Sequence, residues 1–118
     1  EELSVFHEGR MRRDFTYIDD AVEAVFCLLN STKPIKTIYN VGSGRPILLT
    51  DFVTAVEEAL DKKGKKKFLP LQPGDVLETF ADIRELKEEF GWSPKTSLKE
   101  GVKKFVEWYC KMYRLHSG

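Results

Sequence analysis

Three arginines, Arg10, Arg12 and Arg13, crowd the start of the segment GRMRRDFTYIDD, which runs from Gly9 to Asp20. A guanidinium is the side chain best suited to a diphosphate, because its planar fork makes paired, charge-assisted hydrogen bonds. Neighbouring side chains on an extended strand face opposite ways, so Arg12 and Arg13 serve different faces. Two readings follow. Either the strand delivers an arginine to an anionic ligand, or the cations are spent locally, Arg13 on Asp14 or Arg12 on Glu8. On the residues alone the ion pairs have the edge.

Other segments bear on the choice. YNVGSG (Tyr39–Gly44) has a Gly-x-Gly after a strand-like run, but Arg45-Pro46 and another extended piece follow. A dinucleotide loop needs a third glycine and an immediate helix, so Gly42 and Gly44 read as turn glycines, with Asn40 serving backbone groups at the strand end. LQPGD (Leu71–Asp75) is a turn by composition; Asp75 either closes it, accepts from a sugar, or holds an arginine. Lys62, Lys63, Lys65, Lys66 and Lys67 lack interleaved aromatics and read as a solvated turn. His7 and His116 stand far apart without metal-type spacing, and Tyr17 has no base or lysine partner that would make it catalytic.

Composition narrows the classes. The chain has 118 residues, 42% of them hydrophobic, enough for one modest core. Nineteen basic residues balance nineteen acidic ones, so nothing pulls the whole molecule towards nucleic acid or a membrane. Apolar runs are far too short for a span. Cys27 and Cys110 fall in apolar helical patterns and read as reduced core thiols of a cytoplasmic protein. The opening EELSVFHEG runs almost directly into an apolar stretch, as if cut from something longer.

The elements that must position these residues are predicted to be about four helices and about three short strands, a mixed α/β chain. LSVF (Leu3–Phe6) is a possible strand; DFTYI (Asp14–Ile18) and KTIYNV (Lys36–Val41) are better ones, ILL (Ile47–Leu49) is a short extended piece, and KFLPL (Lys67–Leu71) is an edge strand because of Pro70. Asp19 or Asp20 caps a helix to about Asn30, whose apolar residues nearly encircle it and predict burial. Thr50 caps a second helix with Phe52, Val53, Val56 and Leu60 on one face. Asp82/Glu85 and Ser97/Glu100 have capping-box spacing for a third and a fourth, ending at Gly91 and near Tyr113. So few strands make a poor sheet by themselves and suit additions to a sheet elsewhere.

GRMRRDFTYIDD, IYNVGSG, LQPGDV with TFADI, and FGWSPKTSLKEGV occur here in one order and spacing. Together they make the chain resemble the C-terminal part of an extended short-chain dehydrogenase/reductase of the nucleotide-sugar epimerase/dehydratase group, most of all the UDP-glucuronate 4-epimerases. The resemblance runs from about Leu3 to Tyr113. It implies that residues 1–118 are a C-terminal nucleotide-sugar-binding region, the substrate lobe of a Rossmann-type enzyme whose NAD-binding domain is not in this chain. It assigns Arg13 to the diphosphate of a UDP-sugar, Met11 to the nucleotide's side, the turn holding Gln72 to closure over the nucleotide, and Asp75 to the ribose. UDP-galactose epimerases often carry an arginine where this chain has Gln72, so the glucuronate type fits better. No catalytic, NAD-binding or metal residue is expected in these 118 residues, which lack both a glycine-rich dinucleotide loop and a Tyr-x-x-x-Lys pair. The expected parent is a homodimeric NAD enzyme; the chain alone is expected to be inactive and to self-associate through a surface drawn from Val5, Phe6, Phe15, Tyr17 and Ile38. A UDP-glucuronate decarboxylase or nucleotide-sugar dehydratase fragment is the nearest alternative. A stand-alone anion- or nucleic-acid-binding module is the alternative of another class.

Overall fold

The computed structural model describes residues 1–114, so His116 lies outside the described residues. Strand β1 (Glu2–Phe6) leads through a single 3-10 turn (His7–Gly9) to β2 (Arg12–Asp14) and helix α1 (Ile18–Leu29). After a long irregular connection come β3 (Pro46–Leu48), α2 (Leu49–Leu60), β4 (Lys65–Leu69), α3 (Arg84–Phe90) and α4 (Leu98–Met112). The strands form two separate pairs. β1 runs parallel to β4 with Val5 opposite Phe68, and β2 runs antiparallel to β3 with Arg13 opposite Ile47.

Two of the predicted strands are corrected. DFTYI is not a strand: β2 lies two residues earlier and stops at Asp14, because Phe15 leaves the ladder to stack on Phe52, ring centroids 4.0 Å apart. KTIYNV forms no strand either. Its side chains dock on α3 instead: Tyr39 Oη accepts from the Lys36 amide and donates to Glu89, its ring meets Phe90 edge-on, and Lys36 bridges Glu85 and Glu89. β propensity makes a strand only where a neighbour completes the ladder, and Ile38 is left 76% exposed.

Caps are corrected in the same way. α1 starts at Ile18 with no side-chain cap, and Asp19 and Asp20 sit inside its first turn. Thr50 lies inside α2, whose start is held by the Leu49 amide donating to Met11 O at 2.8 Å. Asp82 makes a tight turn onto the Arg84 amide rather than a box with Glu85. Ser97 does cap α4, accepting from the Glu100 amide, and Gly91 ends α3 at φ +66°.

The main core joins Ala24 of α1, Leu86 of α3 and Trp92, with Cys27, Leu28, Tyr39, Ile83 and Phe90 against them. A second contact packs Val102 and Val106 of α4 towards α2. Contrary to its apolar wheel, α1 is only half covered: Val22, Val25, Phe26 and Leu29 are exposed. Val5 is corrected as well, being 2% exposed inside the β1–β4 layer, whereas Phe6, Phe15 and Tyr17 are half-buried. The radius of gyration is 16.9 Å and the molecule measures 50 × 37 × 18 Å. A compact domain of this length would have a radius near ~13.5 Å, so the shape is a slab.

Candidate functional site

β2 is the spine of the site. On one side it pairs with β3; on the other its Arg12 backbone receives the incoming turn, with Arg12 N donating to Leu77 O at 2.9 Å and Thr79 N to Arg12 O at 3.2 Å. That places the 72–79 segment beside Met11 and Arg13. Arg13 Nη2 donates to Asp75 Oδ1 at 3.0 Å across 62 residues of chain and reaches Met11 Sδ at 3.5 Å; Nη1 donates to Arg12 O at 2.8 Å. The Asp75 amide donates back to Gln72 O at 3.1 Å, and Gly74 takes φ +81° to close the turn. Met11 is buried beneath, Arg13 and Asp75 are half-buried, and Gln72 is exposed. The fold thus brings together Met11, Arg13, Gln72 and Asp75.

Neither local ion pair proposed for the arginines forms. Arg13 pairs with Asp75 rather than Asp14, Arg12 lies 3.8 Å from Glu78, and Glu8 is taken by Arg10. An exposed ion pair contributes only about 0–1 kcal/mol, whereas each backbone hydrogen bond contributes about 0.5–1.5. The Arg12 backbone therefore docks the turn, and the Arg13–Asp75 pair orients it.

Asp14 is the residue that sequence reasoning missed, having treated it only as a partner for Arg13. Its Oδ1 accepts from Ser43 N at 2.8 Å, Ser43 Oγ at 2.6 Å and Thr16 Oγ1 at 3.2 Å; its Oδ2 accepts from Gly44 N at 2.9 Å and Ala81 N at 3.0 Å. Burial pushes its pKa up, but the bonds from Ser43, Ala81 and Gly44 outweigh that and hold the carboxyl below its ordinary value. The available signal was an acid at an inward strand position followed downstream by a glycine-flanked turn. The exposed Asn40 is not the group that serves this turn; Asp14 is. A Cβ on Gly42 would stand 2.6 Å from Ala81 Cβ and 2.8 Å from Asp14 Oδ2, so only glycine lets the three segments meet. The Gly-x-Gly amides of Ser43 and Gly44 are thus spent on a carboxylate, which is why the segment is no phosphate loop.

The lysine cluster is largely solvated as expected but is not all turn: Lys62 and Lys63 precede β4, whereas Lys65, Lys66 and Lys67 lie in it. Lys66 alone of the five is half-buried, paired with Glu57 at 2.8 Å. Cys27 and Cys110 are free thiols. Among the described residues no group of three or more His, Cys, Asp or Glu side chains could hold a metal ion. Among them, too, no helix is long and apolar enough to cross a membrane.

The fold and motifs have known counterparts. The family model for GDP-mannose 4,6 dehydratase matches residues 1–105. The chain is 42% identical over 96% of its length to an uncharacterized 37.6 kDa protein in the cld 5' region of Escherichia coli O111:H-, covering 39% of that protein. It is 39% identical over 95% of its length to a probable UDP-glucuronate 4-epimerase of Rhizobium meliloti, covering 38% of it. The structure superposes with a TM-score of 0.85 on the UDP-glucuronic acid 4-epimerase of Bacillus cereus, solved with UDP-glucuronic acid and NAD; identity is 30%, and 96% of this chain and 36% of that one are covered. The chain belongs to the extended short-chain dehydrogenase/reductase family of nucleotide-sugar epimerases and dehydratases. It spans about two fifths of the length of the curated relatives it matches.

Proposed function

We propose that residues 1–118 are the nucleotide-sugar-binding region of a cytoplasmic, homodimeric, NAD-dependent nucleotide-sugar 4-epimerase, with UDP-glucuronate and UDP-galacturonate as the sugar pair. The observation that carries the reading is the meeting of Met11 and Arg13 with the Gln72–Asp75 turn at one edge of β2, Asp75 lying 62 residues beyond Arg13. Arg13 is the diphosphate ligand: the bonds to Arg12, Asp75 and Met11 fix its plane and leave Nε–H and one Nη1–H for an anion. Met11 makes an apolar floor for the nucleotide, the Gln72–Asp75 turn closes over it, and Asp75 Oδ2 accepts from the ribose. Such a site anchors the nucleotide end and presents the sugar to chemistry carried out elsewhere in the enzyme.

NAD, when bound to the parent, supplies hydride removal and return at the sugar carbon. The described residues do not fit it: the one Gly-x-Gly turn is filled by Asp14 and Ala81. On this reading the remaining part of the parent holds the dinucleotide. Family membership and an arginine engaged within the fold speak against a stand-alone nucleic-acid-binding module.

Charge-assisted hydrogen bonds contribute roughly 1.5–3 kcal/mol, so Arg13→Ala in the enzyme containing this chain is expected to raise the KM for the UDP-sugar at least about tenfold. An unchanged KM would return Arg13 to a purely structural ion pair. The purified 118-residue chain should retain no NAD and turn over no UDP-sugar; stoichiometric NAD in it would defeat this division of roles.

A further inference from the structure

We propose that Asp14 is a positioning residue for the nucleotide site, its carboxylate bolting the turn that carries Gln72 and Asp75 to the strand that carries Met11 and Arg13. The inference rests on the reading of Arg13 and Asp75 as nucleotide ligands.

Strand alternation sends Arg13 to the site and Asp14 to the opposite face, where it meets two other segments. One is the turn at Ser43 and Gly44; the other is Ala81, 67 residues away. Ala81 lies two residues beyond Thr79, the last residue the Arg12 backbone holds. Arg12, Arg13 and Asp14 thus grip the 75–81 segment in turn: backbone to Leu77 and Thr79, side chain to Asp75, side chain to Ala81. With the far end pinned, the segment cannot slide along β2, and Asp75 stays in register with Arg13. The close seat of Gly42 against both Ala81 and Asp14 leaves no room for another register.

Asp14→Asn keeps the shape but not the function. Wherever the amide nitrogen points, it faces at least one backbone N–H that needs an acceptor. The test titrates UDP into the 118-residue chain for the wild type, Asp14→Asn, Arg13→Ala and the double variant, with thermal melts alongside. Groups acting through one another are non-additive. Asp14→Asn is therefore expected to weaken UDP binding about fivefold or more, yet less than about twofold further once Arg13 is alanine. Unchanged affinity in Asp14→Asn, or full additivity of the two losses, overturns the inference, since a merely destabilising change would simply add. Should Asp14→Asn not fold, Ser43→Ala removes the 2.6 Å hydroxyl bond to Asp14, along with the hydroxyl's contacts to the Arg45 backbone within the same turn, and is expected to weaken UDP about twofold; unaltered affinity there overturns it too. Arg13→Ala weakening UDP while Asp14→Asn and Ser43→Ala do not would sink this inference alone. A wild-type chain that binds no UDP, or an Arg13→Ala variant that binds it normally, would sink the nucleotide reading as well.

Discussion

At the scale of single residues, the structure divides two adjacent charges between two tasks. Arg13 is left with hydrogens to offer, whereas all the bonding of Asp14 is turned inward. The inward bonds have a pH signature. A carboxyl held below its unfolded value of about 3.9 contributes its full stabilisation above that pH and loses it as pH falls through the lower folded value. The difference in melting temperature between wild type and Asp14→Asn should therefore be constant from about pH 7 to 5 and narrow below about pH 4. Asp82, forked by Arg84 and held down at about 2, titrates alike in both proteins and cancels in the difference, so the comparison isolates Asp14. A difference that stayed constant down to about pH 2 would mean that Asp14 is not ionised in the fold.

At the scale of elements, one buried acid does for the second half of the chain what Asp14 does for the site. Asp20, in the first turn of α1, accepts from the Lys95 and Thr96 amides at 3.2 and 3.1 Å, and its own carbonyl accepts from Trp92 Nε1. Ser97 then caps α4, so the carboxylate sets where the last helix begins. Lys95 on Glu23 adds an ion pair between the same loop and α1. Leaving a buried donor unpaired costs about 1–3 kcal/mol, so Asp20→Ala should destabilise the chain by at least about 2 kcal/mol, with amide exchange rising first at residues 92–97. Uniform loss of protection over α1, α3 and α4 would show that Asp20 holds the whole core rather than this junction.

At the scale of the whole molecule, several apolar side chains are uncovered, and two groups of them lie on helices. One spans Val22, Val25, Phe26 and Leu29 of α1 with Ile35 and Ile38 nearby in sequence; the other is the Phe105, Trp108, Tyr109 and Met112 seam of α4. Apolar patches of this kind promote association. On the proposed reading, the rest of the parent enzyme covers part of them. The isolated chain is expected to dimerise or aggregate, with mass by static light scattering rising with concentration, and Phe26→Lys on α1 should reduce the rise. A monomer at every concentration would mean that these faces do not self-pair.

What the sequence determined by itself was local or carried by motif. The existence of the helices, Ser97 as a cap and Gly91 as a stop all depend on spacing within a few residues, and four motifs in register were enough to name the family; the strand read over Lys67–Leu71 forms instead at Lys65–Leu69 and ends before Pro70, which cannot donate to a ladder. The motifs also pointed to Met11, Arg13, Gln72 and Asp75, which the fold gathers at one place. Tertiary structure decided the rest, because the deciding partners lie far along the chain. Asp14 and Asp20 look like a strand charge and a helix cap until residues 81, 95 and 96 arrive to donate to them. KTIYNV has the composition of a strand, but a strand exists only in a ladder, and among the described residues helix α3, not another strand, lies alongside it.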